Sequence, residues 1–240
     1  MSFAQKTPME PEAAKLYNQG NKLIKSGDYQ GAVKNYEEAL TKAKDYRIYY
    51  QEGIAYKKLR KFDKAEEAFK ACIQTNPDFV AAYNGLGTTY YSKKDYQKAI
   101  DNFKLFAEKA KKKKLKKRAK RFISLAYTKL GVKEINDHKY NKAVEYLKQA
   151  VDNYEYDAAY LQLANAYIEL GKYKEALAAA DNAIKFRAKR SRVPKGAPYF
   201  YKGLAYKGMN DKSSAKANFK IASKDKLYRA QSKYEMKYMN

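Results

Sequence analysis

The chain has no tryptophan, one cysteine and one histidine in 240 residues. A lone Cys72 excludes an intrachain disulfide. With only His138 beside it, no zinc site of recognisable ligand spacing can be written, and no Cys/His catalytic pair unless folding brings the two together. His138 has few supporting groups for proton transfer and is not read as catalytic. No stretch approaches the length of an apolar bilayer span, so no transmembrane segment is expected. Glycine-rich phosphate loops, metal-ligand clusters and nucleophile–base pairs at motif spacing are also missing. The chain is therefore read as no enzyme, with no cofactor and no metal.

Acidic residues are scarce in one half only. Residues 1–108 carry 18 Lys/Arg against 14 Asp/Glu, a balance of +4, whereas residues 109–240 carry 33 against 12, a balance of +21. Between Lys109 and Lys133 there is no acid, and ten of the thirteen residues 109–121 are basic, among them Lys111, Lys112, Lys113, Lys114, Lys116, Lys117, Arg118 and Lys120. A second acid-free stretch, Asn182–Asn210, holds Arg187, Lys189, Arg190, Arg192 and Lys195. Such fields attract anionic partners whatever the fold. Against a binding role for the first run, Ala110, Leu115, Ala119 and Phe122 recur near helical spacing, so its lysines equally suit a solvated helix face. Lysine outnumbers arginine there, which weakens a base-reading role. Around Pro194, Gly196 and Pro198 an exposed loop with reachable cations is expected.

What the chain does contain is repetition. An aromatic residue followed three positions later by a small one recurs as Tyr29/Ala32, Phe62/Ala65, Tyr96/Ala99, Tyr140/Ala143 and Tyr173/Ala176, with a degraded copy at Lys212/Ala215. Successive copies are 33, 34, 44, 33 and 39 residues apart. A period in the thirties marks a helical solenoid whose units bury their apolar faces against neighbours. Within each unit, Tyr36/Ala39, Phe69/Cys72 and Leu147/Ala150 extend one face of a second helix, with Ala180 the exception to the large residue. Upstream, Tyr49/Gly53/Tyr56 and Tyr83/Gly87/Tyr90 mark the matching face of a first helix, the small residue allowing close approach. Cys72 stands where other units have alanine and is expected to be a buried packing residue. The pairs Glu37/Glu38 and Glu66/Glu67 fall on the outer side of second helices, where solvated charge is the ordinary reading.

These residues together resemble the tetratricopeptide repeat family over roughly residues 13–222. The resemblance implies an all-α, right-handed solenoid of about six helix-turn-helix units, 13–45, 46–78, 79–112, 113–156, 157–190 and 196–222. Residues 1–12 form an N-terminal extension and 223–240 a capping helix, with Leu227, Ala230, Tyr234 and Tyr238 expected on one face and lysines towards water. Two departures stand out: tyrosine replaces the family's tryptophan, and unit four is enlarged. From Ser124–Tyr127 its first helix should end near Leu130-Gly131, yet Tyr140 arrives seven residues later than that alignment predicts, so unit four is expected to carry a longer helix or an extra turn rather than a disordered loop. Ser2-Phe3-Ala4-Gln5 reads as the end of a signal peptide, favouring export to a periplasm-like compartment over the cytoplasm.

Members of the family are generally scaffolds that hold peptides or partner proteins in a groove lined by first helices. Carried over residue by residue, that groove would present Tyr17, Asn21, Arg47, Tyr50, Lys57, Asn84, Tyr91, Arg121, Asn165, Phe200 and Lys207. Asparagine suits a peptide backbone, tyrosine offers area with a polar tip, and the cations favour acidic side chains. Some of these aromatics would instead only pack between first helices. The five-residue carboxylate clamp of the chaperone-binding members aligns with Tyr17, Asn21, Gln51, Ala81 and Gly85, and three of its cations are absent. The expected partner is thus a protein or peptide of acidic character, with nucleic acid or an acidic membrane surface the alternative, and homo-oligomerisation left open.

Overall fold

The computed structural model describes residues 8–189 and 191–239; Ser2-Phe3-Ala4-Gln5 and Arg190 lie outside the described residues. Among those described there are thirteen helices and no strand. The chain divides into two compact units, Met1–Ala119 and Lys120–Asn240.

The first unit holds the helix pairs α1 (Pro11–Ser26) and α2 (Tyr29–Lys42), α3 (Tyr46–Lys58) and α4 (Phe62–Thr75), and α5 (Val80–Ser92) and α6 (Tyr96–Lys109). Each pair packs through a glycine. A methyl group built at Gly20 would lie 2.5 Å from the Tyr36 ring, at Gly53 2.8 Å from Phe69, and at Gly87 2.7 Å from Phe103. Only a missing Cβ lets the second helix seat a large ring against the first. Tyr36, Phe69, Phe103 and Cys72 are fully buried. Burial also pushes the Cys72 thiol up to about 12, with Asp45 adding to it, so it is an inert packing group. The paired carboxylates are not all solvated: Glu66 is half-buried and accepts hydrogen bonds from Lys70, Tyr90 and Lys93.

The second unit contains α8 (Tyr140–Asn153), α9 (Asp157–Glu169) with α10 (Tyr173–Lys185), α11 (Ala197–Gly208) with α12 (Lys212–Ala222), and α13 (Arg229–Lys237). The same device recurs in Gly203 against Phe219, 2.6 Å from a built methyl. The fifth pair solves the packing differently: Ala164 replaces the glycine and Ala180 the ring, and both are fully buried.

Helix α7 (Lys113–Asn136) has 24 residues where α3, α5 and α9 have 13. Its C-terminal end keeps the common register, Asn136 preceding Tyr140 by four residues as Lys58 precedes Phe62. The extra turns are therefore at its N-terminal end, the basic stretch, and not after Leu130-Gly131. Gly131 is no turn: a methyl there would lie 2.5 Å from Leu147 Cγ, so it is the packing glycine of that pair. In the first unit, Leu115 and the buried Ala119 pack with Tyr83 and Phe106, which leaves Lys111 to Lys114, Lys116, Lys117 and Arg118 exposed.

One backbone feature repeats in every pair. Two residues before each landmark sits a left-handed residue: Gly27, Arg60, Lys94, His138, Gly171 and Asn210, with φ between 56° and 86°. His138 thus serves as a turn residue, its Nδ1 2.8 Å from the Tyr140 hydroxyl. Left-handed backbone costs a side-chain-bearing residue about 1–2 kcal/mol. His138→Gly is expected to raise the unfolding free energy by about 1 kcal/mol, read by urea denaturation; a decrease would mean that the imidazole contact outweighs the strain.

The C-terminal helix turns the opposite way from the sequence expectation. Its buried residues are Ser232 and the following Met239, whereas Leu227, Tyr234 and Tyr238 are 72%, 64% and 63% exposed. Met236 and Met239 pack with Phe219, and Lys207 Nζ holds Glu235 at 2.6 Å. These methionines and the ion pair, invisible to a count of aromatics, set which face turns inward.

Candidate functional site

In the first unit the face formed by α1, α3 and α5 carries seven of the residues assigned to the groove. Tyr17 lies against Tyr36, ring centroids 6.1 Å apart, and Asn21 Oδ1 accepts the Tyr36 hydroxyl at 2.8 Å. Arg47 is tied to Asp45, whose carboxylate caps α3 through the Arg47 N–H. Tyr50 packs between Phe69 and Phe79, with centroids 5.9 and 5.0 Å away, and Tyr91 packs on Tyr96 at 5.4 Å. Burial raises the pKa of both Tyr50 and Tyr91. These aromatics hold neighbouring helices together.

Lys57 and Asn84 are different. Lys57 Nζ donates to Thr88 Oγ1 at 2.6 Å, and Thr88 passes its own hydrogen to the Gly85 carbonyl. Burial pulls the Lys57 pKa down, and the charges acting on it, Lys58 and Arg118, are both cationic. No carboxylate pairs with it among the described residues. One turn before Thr88 on α5, Asn84 has its Oδ1 buried without a hydrogen-bond partner. Helix α5 thus carries a buried acceptor without a donor, Asn84 Oδ1, and one turn on the Thr88 hydroxyl that receives the Lys57 ammonium of α3, which no carboxylate pairs.

In the second unit, Arg121 lines a cleft of about 940 Å³, with Leu125 from α7, Ala158, Leu161 and Gln162 from α9, and Tyr228. Helix register makes Ala158, Leu161 and Gln162 the counterparts of Ala81, Asn84 and Gly85. The other groove residues fall elsewhere. Asn165 is half-buried on α9. Phe200 packs against Tyr201, Phe219 and Tyr228, and Lys207 is spent on Glu235.

The Ser191–Pro198 loop is held rather than free. The Ser191 hydroxyl donates to buried Asp157, the Val193 N–H to Ser191 Oγ at 3.0 Å, and the Gly196 N–H to Asp225 at 2.9 Å. Gly196, Ala197 and Pro198 are buried, and a methyl at Gly196 would meet Asp225 Cβ at 2.6 Å. Arg187 spends one amino group on the Val193 carbonyl, while Lys189, Arg192 and Lys195 remain exposed. The sequence signalled this loop by its Pro and Gly. That it closes over α9 depends on Asp157 and Asp225, single carboxylates whose partners lie 34 and 29 residues away.

Among the described residues no three His, Cys, Asp or Glu side chains group to hold a metal, and no helix is long and apolar enough to cross a membrane. Family models for the tetratricopeptide repeat match residues 13–46, 50–112 and 135–193. Wheat (Triticum aestivum) Hsp70-Hsp90 organizing protein is 31% identical over 85 residues, 35% of this chain and 15% of that protein. Small glutamine-rich tetratricopeptide repeat-containing protein 2 of Saccharomyces cerevisiae is 29% identical over 94 residues, 39% of this chain and 27% of that one. The aligned part is therefore a minor fraction of these relatives. Among solved structures, the C-terminal part of a TPR repeat-containing protein from Cytophaga hutchinsonii superposes with a TM-score of 0.60 at 15% identity, covering 87% of this chain and 78% of that one. MamA from Desulfovibrio magneticus gives 0.55 at 20% identity, covering 75% and 97%. YrrB, described as a TPR protein with an unusual peptide-binding site, gives 0.54 at 16%, covering 83% and 97%. These likenesses establish the fold, and with six copies of one helix-turn-helix register the chain belongs to the tetratricopeptide repeat family.

Proposed function

We propose that the chain is a non-enzymatic interaction scaffold whose first unit binds an extended, acidic protein segment on the face of α1, α3 and α5. The observation that carries this reading is Lys57, a half-buried cation with no carboxylate that reaches Thr88 on α5, one turn from Asn84. An acidic peptide supplies a side-chain carboxylate for Lys57, and Asn84, half-buried on α5, offers its amide to the peptide backbone. The five-residue chaperone clamp is absent from this face, so recognition would rest on different residues from those of the clamp-bearing members.

The test uses a fluorescein-labelled (Asp-Glu)4 peptide and its uncharged (Asn-Gln)4 counterpart, titrated by anisotropy. Lys57→Met keeps the aliphatic stem and removes the charge, and Asn84→Ala removes the acceptor. Hydrogen bonds to charged groups are worth about 1.5–3 kcal/mol, so Lys57→Met is expected to weaken the acidic peptide by about 10-fold or more. Equal affinity for both peptides, or no response to either substitution, would reject the site.

A further inference from the structure

The cleft of the second unit carries an inference independent of the Lys57 face. Its apolar lining is Leu125, Ala158 and Leu161 with Phe186, Val193 and Pro194. The wall is fixed. The Phe186 ring stacks on Tyr160 with centroids 5.4 Å apart at 14°, and the Ser191–Asp157 contact ties the loop to the start of α9. The opposite side is equally tethered, the Ser124 hydroxyl donating to the Tyr154 carbonyl at 3.0 Å and the Tyr156 hydroxyl to Thr128 at 2.6 Å. At about 940 Å³ the space is within the range of sites that enclose a bulky ligand group, and far more than an extended backbone fills.

The polar groups sort by whether they are already used. Both carboxylates of the cleft are engaged: Asp157 accepts from Ser191 and from the Ala158 N–H at 2.9 Å, and Glu155 accepts the Tyr160 hydroxyl at 3.2 Å. Arg121, Arg192 and the Gln162 amide make no hydrogen bond or ion pair among the described residues. Both arginines are exposed, and Gln162 is half-buried. An apolar lining with a free amide beside it and two guanidinium groups that form no ion pair is complementary to one class of occupant. It fits an aromatic side chain carried by a backbone segment with carboxylates on either side.

We infer that this cleft is an anchor site for a single aromatic residue within an acidic peptide, the ring entering between Leu161 and Val193 and the flanking acids meeting Arg121 and Arg192. Gln162 pairs with the backbone next to the anchor, as an amide can both donate and accept. The site adds side-chain selectivity that the Lys57 face, which reads charge, does not provide.

The experiment compares labelled (Asp-Glu)2-Phe-(Asp-Glu)2 with the same peptide bearing alanine for phenylalanine, on the full chain. Burying the ring is expected to favour the phenylalanine peptide by about 10-fold or more. Ala158→Phe, which fills the pit from the half-exposed α9 face, is expected to bring that ratio close to one. Arg121→Glu with Arg192→Glu lowers the affinity for both peptides, and Lys57→Met leaves the phenylalanine-to-alanine ratio intact, which separates this site from the first. Thermal unfolding of each variant confirms that it is folded; should Ala158→Phe unfold, Gln162→Ala, expected to weaken both peptides, replaces it. A ratio of one in the unaltered chain overturns the inference, as does a ratio that survives Ala158→Phe. Displacement of the phenylalanine peptide by an equimolar oligo-dT strand also overturns it, because the cleft would then take stacked bases.

Discussion

Phe69→Ala lowers the unfolding free energy by about 4 kcal/mol, near the middle of the span for a buried phenylalanine reduced to alanine. The ring is fully buried and sits on two glycines from different pairs: built methyls would lie 2.8 Å away at Gly53 and 2.5 Å away at Gly85. It therefore fills space between α4 and both α3 and α5, and Tyr50 packs on it as well. Neither glycine has a side chain that could move into the void, so little of the cavity can close. The converse change, Gly85→Ala, overpacks the same contact and is expected to cost about 1–3 kcal/mol. Combined, the two are expected to cost less than their sum, because the added methyl occupies part of the space the ring leaves. Urea denaturation of the two single variants and the double variant decides the matter; strict additivity would mean that Phe69 and Gly85 do not share the space.

The glycine-and-ring device was legible because it is repeated, and a repeat needs no tertiary information to be seen. Glycine is also where the reading went astray. Leu130-Gly131 and Leu170-Gly171 look alike in sequence, yet Gly171 has φ +69° in a turn while Gly131 lies within α7 against Leu147. Both uses need a residue without Cβ, one for conformation and one for space. The register of α7 follows from its partner Leu147, not from its own residues. Glu134 hid the register further: it stands where Tyr56, Tyr90 and Tyr167 mark other first helices. It is buried, with Lys142 3.7 Å away and its Oε2 without a hydrogen-bond partner. The site shows the same division. Lys57 and Asn84 were singled out from their repeat position alone. Gln162, Phe186 and Val193 were not, since the cleft they share depends on a loop folding back across α9.

Glu52→Gln is expected to stabilise the chain at pH 8 by up to about 3 kcal/mol and to change little at pH 4, at about 1.4 kcal/mol per unit of pKa. Glu52 is 8% exposed on α3, and burial first, then the neighbouring Glu37 carboxylate, pushes it from the ordinary 4.5 up to about 7. Lys64 and Lys44 oppose the shift, and Glu67 adds to it. Glu37 cannot relieve it by moving away freely, because it accepts the Tyr56 hydroxyl. The folded chain thus holds this proton more tightly than the unfolded chain does. The resulting stability is complete below about pH 4.5, the ordinary value, and is lost as the pH rises through about 7. Glu66, on the neighbouring α4, runs the other way. Burial raises its pKa, but the hydrogen bonds from Lys70, Lys93 and Tyr90 prevail and bring it to about 2. Its contribution is present above pH 4.5 and is lost as the pH falls towards 2. Comparing the unaltered chain with Glu52→Gln across pH 4–8 by urea denaturation isolates the Glu52 window, since Glu66 is common to both. A difference that does not grow between pH 5 and 7 would place the Glu52 carboxylate in contact with water, ionised throughout.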